Sequence, residues 1–369
     1  KVIKKETVDD IDLATNLRPI EVSDALKKKE INFYETGIEH GTITAIIGDH
    51  KYEITSLRKD ITTDGRHADV EFSLDWQEDA GRRDFTINSI YADKEGNLFD
   101  PYNGKKDIVD GHIQFIGDAE DRIKEDYLRI LRYIRFFLSY SNFKHNSEII
   151  KIIKRNIKGI SKISSERLLD EFKKLTKSKG FLKLFNDRES LELIKIIFPQ
   201  FINIDNFNKL NPYAIDNLFK VDFIFLVSLL VVDGSDNTDY LFYKFNISKK
   251  DQKRLKIINL FYKEKVNVKN FTEDKLNKIF YFNGREAVID VINFKLFNSK
   301  KVENKLIKLI QFYKDKIRPT MPISANILKS KFHIPEGKIL GDKLRMIEDT
   351  WVNNDFQISD KQIQKIITG

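Results

Sequence analysis

The chain has 369 residues, 41% hydrophobic and 33% charged, which excludes a mostly disordered polymer and leaves room for two or three domains. It contains no cysteine, so there is no disulfide framework, thiolate metal site or cysteine nucleophile, and a reducing, cytoplasmic setting is expected. Lys and Arg number 64 against 56 Asp and Glu; the net charge of +8 permits a polyanionic partner without requiring one.

The first chemical feature is Asp9-Asp10-Ile11-Asp12. On a strand, Asp10 and Asp12 share a face, and two carboxylates held side by side repel unless a divalent cation neutralises them. Oxygen ligands without Cys or His suit Mg²⁺. A solvated acidic turn is the other reading of the same residues. Pro19 to Lys29 is expected to be a helix with Pro in its first turn. Thr42–Ile47 and Lys51–Leu57 flank Gly48-Asp49-His50 and are expected to form a hairpin. That places Glu53 on a strand, where it is either an exposed charge or a third carboxylate beside the Asp pair. Val70–Leu74 and Ser89–Ala92 are expected to be further strands.

Gly81-Arg82-Arg83-Asp84 is followed by the apolar run that ends at Asn88. Guanidinium forks match phosphate oxygens, and the carboxylate suits a ribose hydroxyl; a surface ion-pair cluster is the alternative. Nine of sixteen glycines precede residue 118, and only Pro199 and Pro212 interrupt residues 118–318, so a helical arm is expected after a small α/β head. Within that arm Asp126, Arg129, Arg132 and Arg135 recur every three residues, a polar stripe on one helix face bounded by apolar positions. Three arginines in a row require something anionic opposite them. An Asp accepting from an exocyclic amine and an Arg donating to a ring nitrogen would select C and A and reject U and G. Phe223–Val232 is apolar but far shorter than the about 20 residues of a membrane span. A last segment runs from Pro319 through the Pro/Gly turn at 335–341 to Trp351.

Taken in order, these pieces resemble the class II CCA-adding enzymes (tRNA nucleotidyltransferases), a family that also contains bacterial poly(A) polymerase. The resemblance rests on DDIDLAT at 9–15, HGTIT at 40–44, YEITSLRKD at 52–60, TDGRHADVEF at 63–72 and RRDFTINSIYAD at 82–93. It continues with DPYNGKKDI at 100–108, EDYLRILRYIRF at 125–136 and ISSERLLDE at 163–171. The resemblance implies an α+β fold: a nucleotidyltransferase head at 1–117, a helical neck at 118–180, a helical body at 181–318 and a tRNA-contacting tail at 319–369. It implies addition of C, C and A to tRNA from CTP and ATP, with two Mg²⁺ ions and no organic cofactor. Asp10 and Asp12 are then the metal ligands, and Glu53 is the third catalytic carboxylate. Arg82, Arg83, Asp84 and Asn88 bind triphosphate and ribose. Asp126 and Arg129 select the base, with Arg132 and Arg135 toward the phosphates. Arg58, Asp64, Gly65 and Arg66 belong to a flexible loop that switches C to A addition. No membrane and no obligatory protein partner are implied. A poly(A) polymerase, an A-adding enzyme and an inactive RNA-binding protein are the rivals. The family's glycine-containing phosphate segment has no match before Asp10, so a missing N-terminal piece of roughly 20–30 residues is expected.

Overall fold

The alternation of residues in the first third of the chain builds a small sheet with one covered and one open face. The computed structural model describes residues 2–4, 8, 11–63, 68–264 and 272–368. Strands β1 (Asp12–Thr15), β2 (Asn32–Gly37), β3 (Thr42–Ile47) and β4 (His50–Ser56) lie in the order β1-β4-β3-β2. β1 runs parallel to β4, and the other two pairings are antiparallel. Helix α1 (Pro19–Lys28) follows β1 and supplies Val22 and Leu26 to one face, where they meet Ile43 and Ala45. Because side chains alternate along a strand, that packing sends Thr44 and Glu53 to the opposite face.

The expected helix and hairpin are present with ends shifted by a residue or so, as hydrogen-bonded boundaries commonly are. A second antiparallel pair, β5 (Arg58–Thr63) and β6 (Ala68–Phe72), follows at once. The stretch expected to be a loop is therefore largely a two-stranded ribbon. The expected loop residues Asp64, Gly65 and Arg66 lie outside the described residues, as does Asp10. Short helix α2 (Trp76–Gly81), strands β7 (Tyr91–Ala92) and β8 (Leu98–Phe99), and helix α3 (Gly104–Asp110) complete the head. Of the strand expected over Ser89–Ala92, only its second half is one. Ser73 and Leu74 fall beyond β6.

Helices α4 (Ala119–Glu125), α5 (Leu128–Tyr140), α6 (Ser147–Asn156), α7 (Ser165–Lys177), α8 (Phe181–Leu184) and α9 (Arg188–Ile197) follow. α5 is amphipathic in the manner read from its spacing: Ile130, Leu131, Ile134 and Phe137 are buried. An aromatic seam joins it to the head, with Phe85 packed on Phe115 at 4.6 Å and on Phe136 at 5.4 Å between ring centroids. All of this belongs to a compact unit of residues 1–199.

Residues 200–369 form a second unit. Its helices are α10 (Pro212–Asn217), α11 (Phe223–Val231), α12 (Asn237–Phe245), α13 (Lys249–Glu264), α14 (Glu273–Phe297), α15 (Asn304–Asp315), α16 (Ala325–Phe332), α17 (Lys338–Asn353) and α18 (Asp360–Thr368). The apolar stretch at 223 becomes α11, buried from Phe225 onward, with the Asp222 carboxylate accepting from the N–H groups of Ile224 and Phe225 at 3.0 Å. Among the described residues, no helix is long and apolar enough to cross a membrane. Gly337, at φ 143°, opens α17 in a conformation that favours glycine. Trp351 is a core residue, packed edge-on against Tyr281 and Phe356.

Candidate active site

β1 and β4 bring two of the expected carboxylates together. Asp12 and Glu53 are register partners across the parallel pair, so their side chains leave the sheet on the same face, opposite α1. Both are exposed. Among the described residues neither forms an ion pair, although like charges in register repel. An adjacent pair of hard oxygen donors without a cationic partner fits a divalent metal ion. Among the described residues no third acidic, His or Cys side chain joins them.

The Arg-Arg-Asp segment is organised differently from a simple phosphate clamp. Arg82 and Arg83 both turn onto Asp79, one turn earlier in α2, with N–O distances of 2.8 and 3.1 Å. Asp79 is 1% exposed and also accepts from the Arg58 N–H at 3.2 Å and the Tyr91 hydroxyl at 2.5 Å. Burial alone would raise its pKa, but Arg82, the Tyr91 hydroxyl and Arg83 outweigh burial and hold it below the usual carboxylate range. Burial and the bond to Asp79 push the Tyr91 phenol up to about 12. Asp79 was not singled out from the sequence; its signal is the spacing to Arg82 and Arg83 at i+3 and i+4 on one helical turn.

Asp84 points inward rather than toward solvent. It is 7% exposed and accepts from the Phe85 N–H at 3.0 Å, the Asn88 amide at 2.9 Å and the Arg132 guanidinium. Burial opposes ionisation, yet the charge of Arg132 and the bonds from Arg132 and Asn88 keep the carboxyl below its ordinary range. Asp84 and Asn88 are thus brought together with Arg132, tying the head to α5.

The stripe on α5 needs two corrections. Asp126 is not on the helix: its backbone is extended at φ −150°, between α4 and α5, and its carboxylate accepts from the Leu128 N–H at 3.1 Å. Its other oxygen accepts from Arg167 of α7 at 2.6 Å. Arg129 does not pair with Asp126. It donates to Glu125 and to the Arg122 carbonyl at 2.9 Å, so both members of the expected base-reading pair are held, each by its own partner. Second, the anions opposite the arginines belong to the chain itself. Arg132 meets Asp84 and, at 3.8 Å, Glu171 of α7; Arg135 bonds Glu171 and stacks on Phe136 with its guanidinium 4.0 Å from the ring centroid. Arg132 and Arg135 are thus braced by carboxylates of the chain itself. Glu171, 1% exposed, lies in the ISSERLLDE motif together with Arg167, and no local spacing announces either role.

Comparison with known proteins identifies the family. A family model described as "Poly A polymerase head domain" matches residues 1–114, and one described as "Probable RNA and SrmB- binding site of polymerase A" matches residues 142–204. The human protein named CCA tRNA nucleotidyltransferase 1, mitochondrial, is 32% identical over 97% of this chain and 82% of its own length. A CCA-adding enzyme of Staphylococcus haemolyticus is 29% identical over 90% of this chain and 80% of its own. The fold is that of the Bacillus stearothermophilus CCA-adding enzyme solved in complex with CTP, at a TM-score of 0.75 and 19% identity, covering 100% of this chain and 90% of that one. The Thermotoga maritima CCA-adding enzyme solved with tRNA_CCA gives a TM-score of 0.57 at 17% identity, covering 100% and 88%. With the Asp12–Glu53 pair, the Arg-Arg-Asp turn and the α5 helix in their order, this chain belongs to the family of CCA-adding tRNA nucleotidyltransferases.

Proposed function

We propose that the chain adds C, C and A to the 3′ end of tRNA, using CTP and ATP and releasing pyrophosphate. The observation that carries the reading is the register pairing of Asp12 with Glu53 on the open face of the sheet. The tRNA 3′-hydroxyl forms a bond to the α-phosphorus of the nucleotide, and the bond from that phosphorus to the bridging oxygen breaks. Asp10 and Asp12 are proposed to hold two Mg²⁺ ions, with Glu53 as the third carboxylate beside them. When bound there, divalent ions supply neutralisation of charge on the attacking and leaving oxygens.

Glu53 is proposed to orient the attacking hydroxyl. Arg82 and Arg83 are proposed to face the triphosphate, with Asp79 fixing their direction. Asp84 and Asn88 are proposed to line the ribose side while Asp84 anchors Arg132. Asp126 and Arg129 are proposed to present one acceptor and one donor to the base, which suits C and A and leaves U and G with opposed groups. The segment from Arg58 to Phe72, including Asp64, Gly65 and Arg66, is proposed to be needed for the change from C to A. The functional division at 117, 180 and 318 and a cytoplasmic location are further proposals; the absence of cysteine supports the latter, whereas the human relative is named as mitochondrial.

Incubating the protein with Mg²⁺, labelled CTP and ATP, and tRNA that stops before its terminal C-C-A tests the reading. Products that end after C-C-A are expected. Runs of A, A alone on a C-C end, or no incorporation would each replace it with one of the rivals.

A further inference from the structure

Asp79 gathers four donors onto one buried carboxylate. One oxygen takes the Arg58 N–H at 3.2 Å and Arg82 at 2.8–2.9 Å; the other takes Arg83 at 3.1 Å and the Tyr91 hydroxyl at 2.5 Å. The Arg58 N–H belongs to the first residue of β5, where the ribbon leaves the sheet. Arg82 and Arg83 follow α2, and Tyr91 begins β7, so a single side chain ties three separate segments. The Asp79 side chain is only 2% exposed, so water does not stand in for a lost partner. A carboxylate with two oxygens and four donors has a narrow range of orientation. Moving one donor changes the geometry available to the others.

From this we infer that Asp79 is a positioning residue that couples the base of the β5–β6 ribbon to the aim of Arg82 and Arg83. The inference rests on the proposed role of those arginines at the nucleotide triphosphate and deepens it. Displacement of the ribbon base at Arg58 shifts the carboxylate, and the carboxylate carries the two guanidinium groups with it. Asp79 itself touches no reacting atom; its effect passes through Arg82 and Arg83.

The test is steady-state nucleotide addition by the full chain, with KM and kcat separated for CTP and for ATP. Asp79→Asn keeps the shape and removes the charge. It is expected to raise KM for both nucleotides about tenfold, the scale of one charge-assisted hydrogen bond, with kcat changed less than about threefold. Tyr91→Phe removes one donor and keeps both ion pairs, so it is expected to raise KM about threefold. Arg58→Pro compared with Arg58→Ala isolates the N–H, at the first position of a strand where Pro is tolerated. The Pro variant is expected to show about threefold higher KM than the Ala variant. A purely structural role would lower the active fraction, hence kcat, and leave KM alone. Unchanged KM in Asp79→Asn, or in Tyr91→Phe should the first variant fail to fold, overturns the positioning role. Equal KM in the Pro and Ala variants overturns the coupling. Wild-type protein that adds no C or A would instead refute the proposed function, which the same assay reports separately.

Discussion

The bond between Asp84 and Arg132 is expected to be a strong single link between the head and helix α5, and a double-mutant cycle measures it. Removing one partner of a buried ion pair costs about 3–5 kcal/mol, because the other charge is left without its counterion. Two features reduce that figure here. The Arg132 side chain is 28% exposed, and it keeps Glu171 at 3.8 Å as a second anion. A coupling of about 2 kcal/mol is therefore expected from Asp84→Asn, Arg132→Met and the double variant. Asn at 84 retains an oxygen for the Asn88 amide, and Met at 132 retains the apolar stem, so the cycle isolates the charge pair. For the 199-residue unit, 2 kcal/mol corresponds to about 4–8 °C in Tm. Thermal melts of the four proteins at pH 7 give the coupling directly. The Asp84 pKa is lowered in the folded protein, so its contribution is present above the unfolded carboxylate value. It is lost as pH falls below about 4 and through the folded value. Additive melts, with a coupling below about 0.5 kcal/mol, would refute the argument that this pair fastens the helix to the head.

Asp12→Ala and Glu53→Ala are each expected to lower nucleotide addition by about a thousandfold or more, while Tm moves by only about 1–2 °C because both side chains are exposed. Incorporation of labelled CTP and a thermal melt read the two effects. Asp126→Ala and Arg129→Ala are expected to relax the preference for C and A over U and G by about a hundredfold, measured as the ratio of kcat/KM values. Gly104→Ala is expected to destabilise by more than about 3 kcal/mol, since its Cβ would stand 2.0 Å from the backbone oxygen of Thr86. Gly341→Ala, in open space on α17, is expected to gain up to about 1 kcal/mol. Thermal melts of the two glycine variants are the comparison.

Much of the fold was legible because its signals are local. The β3–β4 hairpin follows from two β-rich runs around Gly48 and Asp49, and α1 from Pro19 with Val22 and Leu26 one turn apart. The buried side of α5 follows from apolar residues recurring at helical spacing. Two features of the structure leave no such local signal. The family resemblance implies a flexible loop around Arg58 to Arg66 and says nothing of its backbone pairing, whereas Arg58 pairs with Phe72 and Lys59 with Glu71. The spacing of three continues from Arg129 back to Asp126 without marking where the helix begins. The helix begins at Leu128, whose N–H donates to the Asp126 carboxylate, a start that periodicity does not contain.

The site was legible in its residue types and only partly in their pairing. Three arginines at a spacing of three require anions, and that inference from electrostatics holds. It could not say whose anions they are. Asp84 lies 48 residues before Arg132, and Glu171 lies 36 residues after Arg135, so neither pairing leaves a local pattern. A carboxylate and a guanidinium have the same chemistry whether they bind a nucleotide or brace a helix, so residue type alone does not name the partner. Asp84 is buried and already accepts from three donors, whereas Asp12 and Glu53 stand exposed in register without a cation among the described residues. The carboxylates proposed as catalytic are thus the exposed ones, on the open sheet face. Arg132, one member of the stripe, holds Asp84 and so ties the Arg-Arg-Asp turn to α5.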